Sequence, residues 1–151
     1  MAVIHNEIKI KASRQEVWEI LSDIEALELY DPIVKKSKAL TTQKIGVGAE
    51  RHCDTSNGGW FKEKISVWNP HSDLEFSLYA CNQPMKWLTH TYHLEEEGDI
   101  THVTQVMKYE MKFGIIGMVL DLLVGRRMAD KGIKLFFNGL KEYAETGKKK
   151  S

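Results

Sequence analysis

Cysteine and proline are scarce in this chain, with two and three respectively in 151 residues. Cys53 and Cys81 lack the close spacing of a C-x-x-C redox or zinc motif and are too few for a disulfide scaffold. A reducing compartment follows as the expectation, and with it a cytoplasmic location. An excess of either charge is also missing, since 21 basic and 21 acidic side chains cancel. That balance excludes a broadly basic protein held to nucleic acid by phosphate contacts alone. The longest apolar run, Phe113 to Val124, is about half of what a membrane-spanning helix needs. No signal peptide is expected, because strand-like alternation begins at Val3-Ile4-His5-Asn6-Glu7-Ile8. No zinc, P-loop, dinucleotide-binding or G-x-S-x-G pattern occurs. His90 and His93 sit three apart on a strand and so point to opposite faces. No metal and no cofactor is implied. Trp60 and Trp68 read as exposed positions, but without basic patterning around them they do not make a stacking surface for bases.

What is present is one domain's worth of core. Hydrophobic residues make up 42% and charged residues 28%, ordinary values for a globular chain. The charge is unevenly spread: residues 1–125 carry 13 basic and 18 acidic side chains, and residues 126–151 carry 8 and 3. A single domain over 1–147 and a basic tail over 148–151 are expected. Ile4, Ile8 and Ile10 share one face of a first strand. Ser13-Arg14-Gln15-Glu16 is a capping-box pattern opening a helix with Val17, Trp18, Ile20 and Leu21 as its stripe. A second short helix over 24–29 precedes Asp31-Pro32. Strands are predicted near 33–40, 46–55, 60–68, 73–80, 86–95 and 100–112, separated by turn signals such as Ser56-Asn57-Gly58-Gly59 and Glu96-Glu97-Gly98-Asp99. A long helix within 116–146 closes the order. Consecutive antiparallel strands must bury one face, and only that helix is long enough to cover it. The fold class is therefore α+β, a seven-stranded antiparallel sheet around a C-terminal helix.

Alternation identifies the inner face. The inward sets are Val47, Ala49, Arg51 and Cys53; Phe61, Glu63, Ile65 and Val67; and Leu74, Phe76, Leu78 and Ala80. The last two strands contribute Leu88, His90, Tyr92 and Leu94, then Val103, Gln105, Met107, Tyr109 and Met111. A one-residue slip would turn each set out to water. Hairpin lengths pair Cys53 with Phe61, Arg51 with Glu63, Glu63 with Leu78, Leu78 with His90 and His90 with Gln105, making one polar row between apolar ones. A buried arginine or glutamate needs a partner. Arg51–Glu63 reads equally as an ion pair fixing register or as part of a ligand-orienting group with His90, Tyr92 and Gln105.

Several motifs together have a familiar look: Val17-Trp18, Asp31-Pro32, Val47-Gly48, Gly59-Trp60 before Glu63-Lys64-Ile65, Thr101-His102-Val103-Thr104 and Gly139-Leu140-Lys141. In this set and in element order the chain resembles the polyketide cyclase/dehydrase branch of the START-like, Bet v 1-like (SRPBCC) superfamily. The resemblance spans almost the whole chain. It implies a helix-grip fold with a deep cavity between curved sheet and C-terminal helix, holding an apolar or aromatic small molecule. It leaves the activity open.

The expected ligand contacts are Arg51, Glu63, Phe76, Leu78, His90, Tyr92, Gln105, Met107, Ala129, Ile133 and Phe136. The first functional reading is binding or transport of a lipid- or polyketide-like molecule. The alternative is a cyclase or dehydratase with Glu63 or His90 as general base and Arg51 or Tyr92 stabilising an enolate oxygen. On the long helix, Leu122, Gly125, Ala129, Gly132, Ile133, Phe136, Phe137 and Leu140 read as sheet-facing, with small residues leaving either space or close packing. Gly114 to Leu120 reads chiefly as a buried helix start, with a mobile gate, or a patch making transient contact with a membrane or a partner, as the other readings. Arg126 and Arg127 read as solvated.

Overall fold

A computed structural model describes residues 1–150. Strand β1 (Ala2–Ile10) is followed by helices α1 (Arg14–Ser22) and α2 (Leu27–Tyr30). Strands β2 (Val34–Ala39), β3 (Glu50–Thr55), β4 (Trp60–Asn69), β5 (Asp73–Cys81), β6 (Met85–Glu97) and β7 (Ile100–Met111) come next. The C-terminal helix has three parts: α3 (Gly114–Leu120), a π-helical turn (Asp121–Gly125) and α4 (Arg126–Thr146). The strands form one seven-stranded antiparallel sheet in the order β1-β7-β6-β5-β4-β3-β2. The expected α+β helix-grip architecture is the observed one.

Local chemistry accounts for the element ends. Ser13 Oγ accepts from the Glu16 N–H at 3.1 Å, the serine half of the capping box. Helix α4 stops at Gly147, whose φ of 70° suits glycine and whose N–H reaches the Tyr143 carbonyl. The core is continuous from α1 and α2 (Val17, Trp18, Leu21, Tyr30) through the inner sheet face (Ile65, Leu74, Phe76, Leu94, Val103) to Ile133, Phe136, Phe137 and Leu140 of α4. Tyr30 and Tyr92 lie against Phe136 with ring centroids 5.7 and 5.8 Å away, so aromatic contacts fasten the C-terminal half of the helix. Lys150 folds back, donating its backbone N–H to the Leu29 carbonyl and its Nζ to the Asp31 and Val34 carbonyls.

The structure departs from expectation in three places, the first of them strand register. Arg51–Glu63 and Glu63–Leu78 are true partners, but Leu78 faces Leu88 and His90 faces Phe76 and Met107. Gln105 lies opposite Tyr92 and Asn6. The β5–β6 turn centres on Gln83 rather than Pro84. The β6–β7 hairpin closes on two residues, with Glu97 opposite Ile100 and Gly98 at φ 67°. His90 and Gln105 are thus one and two rows away from the Arg51–Glu63 row.

The second departure is an irregularity between Ile65 and Val67 that leaves Ser66 as an extra residue. Parity then reverses. Val67 pairs with Glu75, while Trp68 pairs with Leu74 and packs edge-on against Trp18 at 5.1 Å. A second irregularity at Tyr79 sets Ala80 opposite Lys62 and Cys81 opposite Phe61. Val47 precedes β3 and is exposed.

The third departure is the helix. Gly114–Leu120 is not a buried helix start: only Gly117 is buried there, and Leu122, expected against the sheet, is exposed.

Candidate functional site

Sheet β3–β7 presents two polar groups to the concave side. The first is Arg51 with Glu63. Arg51 Nε donates to Glu63 Oε2 at 2.7 Å, and Nη2 donates to the same oxygen. The guanidinium lies over the Phe76 ring, 4.0 Å from its centroid. Burial opposes the charge on Arg51, but Glu63, with Cys53 and Tyr30 adding to it, holds the pKa above the ordinary range. Both residues are nearly sealed, at 5% and 2% exposure.

The second group is built on Gln105. Its Nε2 donates to Tyr92 Oη at 3.2 Å and lies 3.1 Å from His90 Nδ1. An amide nitrogen can only donate, so Nδ1 is the acceptor and the imidazole proton sits on Nε2. Burial lowers the His90 pKa, with Glu63 pulling it back up and Arg51 pushing it down, so the ring is neutral at neutral pH. Burial likewise raises the Tyr92 phenol well above its ordinary value. The His90 and Tyr92 rings are stacked 6.3 Å apart at 17°. As arranged, His90 offers a donor and not a base, which suits holding a polar atom better than removing a proton.

Three buried polar atoms in this region have no hydrogen-bond partner: Arg51 Nη1, Gln105 Oε1 and Asn6 Nδ2. Such atoms are rare because each costs about 1–3 kcal/mol when left unmade. On the same inner surface, Met107 and Ile133 are buried, while Leu78, Phe61, Met85 and Met111 face inward yet stay partly open, as does Ala129 on the helix. The expected contact residues therefore form a connected inner surface but not a single row.

The structure adds residues that the sequence reading missed. Tyr109 Oη donates to Asp121 Oδ1 at 2.6 Å, and Arg126 Nε donates to Asp121 Oδ2 at 3.2 Å. Arg126 is therefore committed to a buried carboxylate and not simply solvated. A Cβ on Gly125 would stand 2.5 Å from Asp121 Oδ1, so the glycine makes room for this group. The available signal was a lone acid inside the apolar run 113–125, which needs a partner if it is to be buried. A pocket of about 160 Å³ opens beside it, lined by Ala2, Tyr109, Met111, Met118, Asp121 and Leu122 among others. None of the expected ligand contacts is in that lining. Among the described residues no cluster of His, Cys, Asp and Glu is arranged to hold a metal ion.

Asp31 is a further buried charge nearby. It accepts from the Ile33 N–H at 3.0 Å, yet burial pushes its pKa up to about 6. Its protonated form is the one the fold favours. The stability it contributes is present below about pH 4, the unfolded value, and is lost as pH rises through about 6. Asp31→Asn keeps an acceptor for Ile33. It is expected to remove that slope and to stabilise the protein at pH 7 by up to about 3 kcal/mol. Urea unfolding at pH 4, 5, 6 and 7 checks this, and equal slopes in wild type and variant would rule burial of Asp31 out as the cause.

The comparisons with known proteins agree with this architecture. The family model described as "Polyketide cyclase / dehydrase and lipid transport" matches residues 1–145. No curated protein matches the sequence. Among solved structures, TTHA0849 from Thermus thermophilus is similar at TM-score 0.80 and 19% identity, covering 95% of this chain and 97% of that one. A START superfamily protein from Mycobacterium smegmatis is similar at TM-score 0.74 and 18% identity, covering 93% and 97%. Ara h 8.0201 has TM-score 0.75 at 10% identity, covering 95% and 97%. At such identities these structures speak for the fold alone. With a START/Bet v 1-like fold and a family model that covers nearly its whole length, the chain belongs to the polyketide cyclase/dehydrase and lipid transport family.

Proposed function

We propose that the chain binds an apolar or aromatic small molecule carrying one polar end, between the concave sheet and the long helix. The observation that carries this reading is the unpartnered Arg51 Nη1 and Gln105 Oε1, a buried donor and a buried acceptor beside apolar side chains that stay partly open. A ligand carbonyl would accept from Arg51 Nη1, a ligand hydroxyl would accept from Arg51 Nη1 or donate to Gln105 Oε1, and the apolar body would cover Leu78, Phe61 and Met111. Orientation by Gln105, His90 and Tyr92 requires no proton transfer.

Native mass spectrometry of gently purified protein, followed by solvent extraction, is expected to reveal a bound apolar species. Gln105→Leu should weaken its binding about tenfold, the equivalent of one lost hydrogen bond. Leu78→Trp should block binding by filling the half-open inner surface. Protein that is reproducibly empty and takes up no apolar fluorescent probe would defeat the proposal. So would turnover of a polyketide-like substrate by wild type that falls by orders of magnitude in Glu63→Gln or His90→Ala.

A further inference from the structure

The segment between Lys112 and Arg126 has a composition that a water-facing helix should not have. Apart from Asp121, which is turned inward, and three glycines, every residue from Phe113 to Gly125 is a large apolar one. A helix that is apolar all round is ordinarily buried in a core or in lipid. Here it is in neither: Ile115 is 79% exposed, Ile116 69%, Leu123 64% and Met128 66%, with Met118, Val119, Leu120, Leu122 and Val124 also exposed. Only Gly117 and Asp121 touch down. A Cβ on Gly117 would stand 2.0 Å from the Lys112 carbonyl oxygen, and Asp121 holds Tyr109 and Arg126. Contiguous exposed apolar surface of this kind marks an interaction site.

Charge identifies the occupant. The acids near this arm are already engaged: Glu110 by Lys86 and Trp87, Asp121 by Tyr109 and Arg126, and Asp130 by Lys134. Lys112, Arg127 and Lys131 flank the arm, and among the described residues none of them makes an ion pair. The unmatched charge beside the arm is therefore positive. An isologous contact with a second copy would set these cations near their own symmetry mates. An anionic bilayer suits both features, taking the apolar side chains into its acyl region and the cations at its headgroups. The 12 residues from Gly114 to Gly125 span about 18 Å at helical rise. That is enough to enter one leaflet but too short to cross a hydrocarbon core of roughly 30 Å.

We infer that residues 113–128 are a membrane-docking arm that inserts into one leaflet of an anionic bilayer. The inference stands apart from the small-molecule reading, since docking is measured whether or not the inner surface takes a ligand.

The test is flotation with vesicles of phosphatidylcholine alone and of phosphatidylcholine with 30 mol% phosphatidylglycerol, as a chosen probe composition of roughly one anionic lipid in three. Wild type is expected to float with the anionic vesicles and weakly with the neutral ones. Ile116→Glu and Leu123→Glu lie outside the nearby pocket and on exposed positions, so they should fold normally and lose flotation. Arg127→Gln combined with Lys131→Gln should weaken binding to anionic vesicles about thirtyfold while changing neutral binding little. Wild type that stays with neither vesicle type overturns the inference, as does Leu123→Glu floating as well as wild type. Concentration-dependent dimerisation in lipid-free buffer that Leu123→Glu abolishes, with no flotation, assigns the arm to a second copy instead and also overturns it.

Discussion

Glu63→Ala is expected to destabilise the protein by about 3–5 kcal/mol, a large part of the total margin of a domain this size. Arg51 cannot escape by losing its proton, because a guanidinium stays charged in proteins. Removing Glu63 leaves that charge 5% exposed with Phe76 as its remaining close neighbour. The effect comes from the stranded cation and not from a large intrinsic strength of the pair. Two matching side chains without charge should therefore recover most of the loss. The double variant Arg51→Met with Glu63→Leu is expected to unfold within about 1–2 kcal/mol of wild type, the pattern seen when a buried ion pair is replaced as a unit. Equilibrium urea unfolding of the single and double variants measures both. A Glu63→Ala loss below about 1 kcal/mol would mean that water reaches Arg51 and that the inner surface is wetter than described.

Gly139→Ala is the second large effect, and it runs against helix propensity. Alanine in mid-helix should gain about 1 kcal/mol over glycine. At this position, however, the added Cβ would stand 1.9 Å from the Tyr30 carbonyl oxygen and 3.5 Å from Pro32 Cδ. Backbone is the obstacle, so no rotamer change relieves it. Helix α4 must move off the end of α2, loosening the Tyr30–Phe136 and Tyr30–Tyr143 contacts. A net loss of about 2–3 kcal/mol is expected. Gly132→Ala is the matched control, because its Cβ meets only the flexible end of Ile33 at 3.3 Å. That variant should be neutral or slightly stabilising. Equal unfolding midpoints for the two variants would remove close approach as the reason for Gly139.

The same contact explains part of what was legible in the sequence. Asp31-Pro32 and Gly139-Leu140-Lys141 are two of the motifs that carry the family resemblance, and in the fold they touch. Strand parity was legible because burial of one face enforces it: Arg51, Glu63, Phe76, His90, Tyr92 and Gln105 all face inward. Register was not, because turn lengths and bulges are set by two strands together, and a bulge also reverses parity beyond it. Ser66 and Tyr79 carry no mark in their own strands of the irregularities they create. Hence Trp68 read as exposed, though it packs on Trp18. The arm was misread for the opposite reason, since its composition follows the rule for buried helices and its position does not.

The π turn at Asp121–Gly125 has a consequence for the phase of the helix. A turn of i→i+5 hydrogen bonds holds more residues than an α turn, so residues before and after it do not follow one α-helical wheel. Leu122 falls on the wrong side when counted back from Ala129 and Ile133 for this reason. The two segments have independent orientation: α4 is aimed by Phe136 and its neighbours, α3 by wherever the turn delivers it. Removing one residue between Asp121 and Gly125 would advance everything upstream by roughly 100°, the angular step per residue of a helix with 3.6 residues per turn. The aim of Phe113–Leu120 is thus written in a residue count, and shortening that count would re-aim it without changing any side chain within Phe113–Leu120.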